Sequence, residues 1–195
     1  MPSRDDQHLF ETLVLEGAQA GLSWSTILNK REGYRALFKG FDIDKVARFT
    51  EKDIERCVGD ARIVRNRMKI ESAVANARAV KLIQKEHGSF ASFVWSFVGD
   101  ETIDTLRDAD NPTPASTPES DALSKALKKY GCKFVGTTIC YAFMQATGMV
   151  NDHAAIVRRA SKNVRRSAKR RRRMKLETDP IRKDFAFWQH LRAQK

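Results

Sequence analysis

Apolar residues recur every three or four positions along most of the chain, the spacing that gathers them on one face of an α-helix. This pattern predicts helices around Leu9–Val14 and Trp24–Phe38. It also predicts a long helix that ends before Gly88 and carries Ile63, Met68, Ile70, Val74, Ala77 and Leu82. No stretch alternates between apolar and polar residues over the length of a strand, so the pattern favours an all-α fold.

Capping signals mark where several helices begin. Thr50 with Asp53 resembles a capping box that opens a short helix through Cys57, and Ser89 is placed to cap Phe90–Val98. Three of the five prolines lie in Asp108–Glu119, which we therefore predict to be a loop. The next helix starts with Thr117 as its cap and Pro118 at its first position, and it stops at Gly131. Another helix is predicted from about Thr137 to Thr147.

The turn between these last two helices resembles a helix-hairpin-helix. Gly131 and Gly136 allow a sharp turn and a close approach of backbone to a ligand. The helix that begins at Thr137 would offer free N–H groups to a phosphate, and Lys133 adds a positive charge. We predict that these four residues contact the DNA backbone, which positions a duplex without reading its sequence. An ordinary pair of helices with a glycine stop is the alternative.

Charge is distributed unevenly and suggests a division of the chain. The net charge is +12, and residues 158–195 hold 15 Lys and Arg against 3 acids, whereas residues 1–157 hold 21 of each. We predict a helical domain over 1–157 and a basic C-terminal extension over 158–195, flexible at least to residue 183. The run from Arg158 to Lys175 contains eleven basic residues and no acid. It is typical of a solvated tail, of a contact with nucleic acid or, in a eukaryote, of a nuclear import signal.

Other classes of protein are disfavoured by what the sequence does not contain. It has no apolar run long enough to span a bilayer and no pattern of a secretory leader at Met1. The three cysteines, Cys57, Cys132 and Cys140, form no CxxC pair and are predicted to be buried or half-buried free thiols in a reducing compartment.

The most informative segment is Leu15–Trp24, which places Glu16 and Trp24 within a small, apolar run. A carboxylate there is unfavourable unless a cation or a hydrogen-bond donor meets it. A flat, positively charged ligand rich in N–H groups, such as a methylated nucleobase, would suit the carboxylate and the indole together. The alternatives are a surface or ion-paired Glu16 and a core Trp24.

This segment resembles the base pocket of the DNA-3-methyladenine glycosylase I family. The resemblance extends in order over roughly residues 5–155. It includes Lys30–Arg35, Asp60–Ile70, Phe93–Phe97 and the stretch from Ser120 to His153. It implies the helix-hairpin-helix glycosylase fold and excision of 3-methyladenine from DNA by a monofunctional enzyme that flips the base. Glu16, the catalytic candidate, would contact the polar edge of the base, and Trp24 would stack on it or wall the pocket.

The chain differs from the wider superfamily at one position and from its own family in its N-terminal segment and its zinc ligands. Many glycosylases of the wider superfamily carry a catalytic aspartate two residues before the position matched by His153, where this chain has Asn151. Asp152 is one position over and is expected to point elsewhere. Family members usually begin with about twenty further residues, which supply pocket side chains and zinc ligands. Without that segment we expect a pocket with one wall fewer. Many members also bind a zinc through an N-terminal Cys and His and two later Cys, but no cysteine follows Cys140 here and His8 does not match the metal-binding His, so we expect no zinc or other cofactor.

The predicted partner is double-stranded DNA that contains alkylated adenine. We expect a monomer that works inside the cell with DNA, and no membrane contact. A rival hypothesis from another class is a DNA-binding or lesion-sensing relative without catalysis. It would bind DNA tightly in a salt-sensitive way and release no base.

Overall fold

The computed structural model describes residues 2–105 and 112–152 of the 195-residue chain. Nearly all of them belong to one compact unit, Met1–Thr105 with Thr113–Asp152. A second unit, Leu106–Pro112 with His153–Lys195, consists of residues outside the described part apart from Pro112. The predicted boundary after residue 157 and the basic extension fall there, so that division stays a prediction.

The described residues fold almost entirely into helices. In chain order these are α1 (Asp6–Gln19), α2 (Trp24–Leu37), a short 3-10 turn (Lys39–Phe41), α3 (Ile43–Ala47), α4 (Glu51–Gly59), α5 (Arg67–His87), α6 (Phe90–Ser96), α7 (Pro118–Lys129) and α8 (Thr137–Ala146). Two strands of two residues each, β1 (Ile103–Asp104) and β2 (Val150–Asn151), pair in parallel. The all-α prediction is confirmed.

The capping signals are confirmed at the helix starts. Thr50 and Asp53 form a capping box before α4. The Ser89 side chain accepts a hydrogen bond from Ser92 N before α6, and Thr117 caps α7 with Pro118 in its first turn. Because each of these bonds joins residues three positions apart, it can be recognised in the sequence.

The structure differs from the predictions where elements are short. The 3-10 turn and α3 lie in a region where no helix was predicted, and β1 and β2 are too short for an alternating pattern to reveal them. The helix after the predicted loop begins at Pro118, as predicted, and residues 108–111 of that loop lie outside the described residues.

The apolar positions assigned to the long helix were partly wrong. α5 begins at Arg67, so Ile63 precedes it, although Ile63 is buried. Met68 and Leu82 lie on the helix but are 66% and 56% exposed. The remaining positions of that pattern, Ile70, Val74 and Ala77, do face the core.

Helix α1 lies at the centre of the unit. All ten residues from Leu9 to Ala18 are buried, because the helix packs against α2, α5, α6 and α8. Two of those ten are glutamates, Glu11 and Glu16. A helix enclosed on every side therefore brings two carboxylates into the interior.

The three cysteines of the sequence are free and buried, as predicted. Burial raises the pKa of Cys57, and it raises the pKa of both Cys132 and Cys140 to about 12. Within the described ranges no helix is long and apolar enough to cross a membrane.

Candidate base pocket and DNA-contacting hairpin

Glu16 lies near the C-terminal end of α1 and is only 7% exposed. Burial raises the pKa of its carboxyl from 4.5 to about 7. No side chain or backbone N–H of the described residues donates a hydrogen bond to it, and no cation pairs with it there. The Glu16 side chain is therefore mostly buried and forms no ion pair in this part of the chain.

Glu11, five residues earlier on the same helix, is also buried, but its carboxylate is paired with two arginines. Arg31 Nε and Arg35 Nε each donate to Glu11 Oε1 at 2.8 Å, and Arg35 adds a bond to Oε2 at 3.2 Å. Burial acts to raise the pKa of Glu11, but the hydrogen bonds and charges of the two arginines outweigh it, so the pKa is lowered. Of these two buried glutamates of α1, only Glu16 lacks a cationic partner in the described residues and has a raised pKa.

Trp24 begins α2 and stands on the other side of a four-residue connection, Ala20–Ser23. The Ser23 side chain caps α2 by accepting from Thr26 N at 3.3 Å. Trp24 is 39% exposed, so it is not a core residue. One short loop thus links a buried carboxylate to an exposed aromatic ring.

The four predicted backbone-contacting residues lie together in and beside the α7–α8 connection. Gly131 has a φ of +89°, which permits the turn after α7, and Gly136 is the N-cap residue of α8. Gly136 supplies no side-chain cap, so the first N–H groups of α8 lack a side-chain acceptor. Lys133 is exposed at the same turn.

The hydroxyl of Thr137 is engaged within the protein. It donates to the Asp121 carboxylate and lies 3.1 Å from the Ser120 hydroxyl. Only the backbone N–H of Thr137 therefore resembles the phosphate donor that the sequence predicted. Its side chain instead joins the start of α8 to α7.

The hairpin loop is held against the helix that carries Glu16. A Cβ placed on Gly17 would lie 3.2 Å from Phe134 Cβ, so the absence of a side chain allows α1 and the loop to meet. From α5, Asn76 donates to Lys133 O at 3.0 Å and accepts from Lys133 N at 2.7 Å. The two candidate sites are thus parts of one packed structure.

The Asp152 side chain is hydrogen-bonded to three neighbouring residues. Its carboxylate accepts from Thr105 Oγ1 and from Gln145 Nε2, each at 2.6 Å, and from the Tyr141 hydroxyl. Asn151 belongs to β2, and Thr105 N donates to its carbonyl at 3.3 Å. His153 lies outside the described residues.

The donors for a metal site are not assembled in the part of the chain that the structure describes. No three His, Cys, Asp or Glu residues there could hold an ion. The absence of zinc stays a prediction.

Sequence reasoning missed two polar residues of α5 that organise these sites. Asn76 holds the hairpin, and Lys69 donates to the carbonyl oxygens of Ala18 and Ala20. Both contacts join residues about fifty or more positions apart, so no local pattern marks them.

Comparison with known proteins finds relatives over most of the chain. The family described as methyladenine glycosylase matches residues 1–160. The chain is 55% identical over 153 residues to "DNA-3-methyladenine glycosylase 1" of Escherichia coli, covering 78% of this chain and 82% of that protein. It is 47% identical over 152 residues to the "DNA-3-methyladenine glycosylase" of Haemophilus influenzae, with the same coverage of each chain.

Solved structures give the same result for the fold. A crystal structure of 3-methyladenine DNA glycosylase I superposes with a TM-score of 0.75 at 52% identity and covers 80% of this chain and 85% of that one. The glycosylase I from Staphylococcus aureus, solved to show the structural basis of 3-methyladenine recognition, superposes with a TM-score of 0.77 at 37% identity. That match covers 80% of this chain and 82% of the other.

Proposed function

The chain belongs to the methyladenine glycosylase family, and from that membership we propose that it excises 3-methyladenine from alkylated DNA. The observation that carries the assignment of the site is the buried carboxylate of Glu16, which meets no cation in the described residues and stands one loop away from Trp24. Such a group is expected where a ligand supplies the missing positive charge.

The chemistry of the lesion suits this carboxylate. Methylation at N3 leaves the base positively charged while it is attached to the sugar, which weakens the glycosidic bond. A carboxylate about 4 Å away favours that cation over neutral adenine by roughly 4 kcal/mol at an effective dielectric near 20, before desolvation is subtracted. Glu16 therefore selects for the methylated base by charge.

Hydrolysis then needs no proton donor for the leaving base. The oxygen of a water molecule bonds to C1′ of the sugar, the bond from C1′ to N9 breaks, and its electron pair neutralises the departing base. The water proton passes to solvent. This scheme accounts for an asparagine at position 151 and for an Asp152 that is occupied elsewhere.

Trp24 and the hairpin supply binding. The exposed indole offers a face on which a flipped base stacks, and extrusion costs only a few kcal/mol, least for a damaged base. The N–H groups at the start of α8, with Gly131, Lys133 and Gly136 around them, bind a phosphate of the duplex. The close contact between Gly17 and Phe134 fixes the distance between this phosphate site and the pocket.

DNA is accordingly the partner, and we propose double-stranded DNA with alkylated adenine as its specific form. We also propose that the protein acts as a monomer inside the cell and needs no zinc. The non-catalytic alternative is not favoured, because the curated relatives are named as glycosylases.

The test is release of free 3-methyladenine from methylated duplex DNA. Replacing Glu16 with Gln should reduce release by up to roughly a thousandfold, the equivalent of about 4 kcal/mol, and leave affinity for undamaged duplex unchanged. The matched control is Glu32→Gln on α2, whose side chain is exposed and should be dispensable. DNA binding without release by the unaltered chain would support the sensor hypothesis instead.

A further inference from the structure

The C-terminal end of α1 is closed by a side chain from another helix. Lys69 Nζ donates to Ala18 O at 2.8 Å and to Ala20 O at 2.6 Å. The last carbonyls of a helix have no partner within it and carry partial negative charge, which a cation satisfies. The last turn of α1 contains no basic residue of its own. Lys69 of α5 thus performs the capping role.

Lys69 is held by hydrogen bonds at both its backbone and its side chain. Its backbone N–H donates to Asn66 Oδ1 at 3.1 Å, in the first turn of α5. The side chain is half-buried, and burial lowers its pKa. No carboxylate of the described residues pairs with it. The carbonyl oxygens of Ala18 and Ala20 therefore replace the water that the buried ammonium has lost. Engaged in this way, the nitrogen is not available as a nucleophile.

The two carbonyls lie on the only stretch of chain that joins Glu16 to Trp24. Ala18 belongs to the last turn of α1, and Ala20 is the first residue of the loop before α2. The next residue is Gly21, with a φ of +74°, and glycine restricts the backbone less than any other residue. An anchor at Ala20 therefore limits how far the indole can shift relative to the carboxylate.

We propose that Lys69 is a positioning residue for base excision, which clamps the α1–α2 loop so that Glu16 and Trp24 hold the flipped base together. This inference rests on the proposed function. It differs from that proposal in assigning part of the rate to a residue that does not touch the base.

The experiment compares Lys69→Met, which keeps the length of the aliphatic stem, with Lys69→Arg, which keeps charge and donors. The control is Lys30→Met, because Lys30 is also half-buried and also donates to a carbonyl, Ala61 O at 2.6 Å, but does not anchor the loop. Three quantities are measured for each variant: the single-turnover rate of base release at saturating enzyme, the Kd for undamaged duplex, and the urea midpoint.

Lys69→Met should lower the single-turnover rate by about tenfold to a hundredfold, the size of effect that misplaced reacting groups produce. The Kd for undamaged duplex should stay at the wild-type value, and Lys69→Arg should recover most of the rate. Lys30→Met should keep the wild-type rate. Amide hydrogen exchange should quicken over residues 20–23 in Lys69→Met but not in Lys30→Met.

Several results would overturn the inference. A wild-type rate in Lys69→Met, or unchanged exchange in the loop, would show that the clamp does not matter. A loss confined to DNA affinity would make Lys69 a phosphate contact, and an equal loss of rate in Lys30→Met would point to general destabilisation. Failure of the proposed function is recognised separately, because then the wild-type chain itself releases no base.

Discussion

Replacing Glu16 with Gln should stabilise the free protein at pH 8. Burial raises the pKa of this carboxyl from 4.5 to about 7. An acid whose pKa is raised by folding destabilises the fold wherever it is ionised, and the penalty disappears as the pH falls through the folded and then the unfolded pKa. With about 1.4 kcal/mol for each pKa unit, the penalty is roughly 3 kcal/mol at pH 8 and about 1 kcal/mol at pH 5.

Urea unfolding of wild type and Glu16→Gln at these two pH values measures the effect. The increase in the free energy of unfolding caused by Glu16→Gln should be about 2 kcal/mol larger at pH 8 than at pH 5. Burying the Gln amide changes stability equally at both pH values, so it does not affect this difference. Comparing the two pH values removes every contribution that does not titrate between them.

Glu11→Gln is the matched control, because it alters a second buried acid of α1 whose pKa is lowered. The stability contributed by Glu11 is complete above pH 4.5 and is lost only as the pH falls through the lowered pKa. This variant should therefore be destabilised to nearly the same degree at pH 8 and pH 5. A Glu16→Gln variant that behaves in that way would refute the reasoning, because it would mean that Glu16 is already compensated in the free protein.

Three further outcomes are expected. Excision measured as kcat/KM should fall as the pH drops below about 7, because protonation of Glu16 removes the charge that attracts the base, and Glu16→Gln should flatten this profile. Asn76→Ala should lower stability by about 1–3 kcal/mol and weaken binding of undamaged duplex, since it strips both backbone bonds from the hairpin loop. Gly33→Ala should destabilise by about 1–3 kcal/mol in urea unfolding, because its Cβ would lie 2.4 Å from Arg62 O, whereas Gly59→Ala, with open space around it, should not.

Local chemistry explains which features of the fold the sequence could predict. The caps at Thr50, Ser89 and Thr117 depend on bonds between residues three positions apart, and each was placed correctly. The apolar spacing located α1, α2 and α5 for the same reason. Met68 and Leu82 were wrongly assigned to the buried face of α5. Periodicity shows where apolar residues lie along the chain but not which of them another element covers.

The candidate site was predicted only in part. The unusual acid at position 16 and the exposed Trp24 could be singled out from one short segment. That Glu11 is compensated while Glu16 is not depends on Arg31 and Arg35, which lie twenty or more positions away. The contacts of α5 with the loop and the hairpin are equally remote, so only the folded chain reveals them.

The burial of the cysteines has a consequence for their reactivity. Cysteine reacts with electrophiles as its thiolate, which is the nucleophilic form. At a pKa of about 12, Cys132 and Cys140 carry roughly one thiolate in 10⁵ at neutral pH, and all three thiols of the chain are shielded from solvent. Burial therefore leaves these cysteines poorly reactive toward electrophiles.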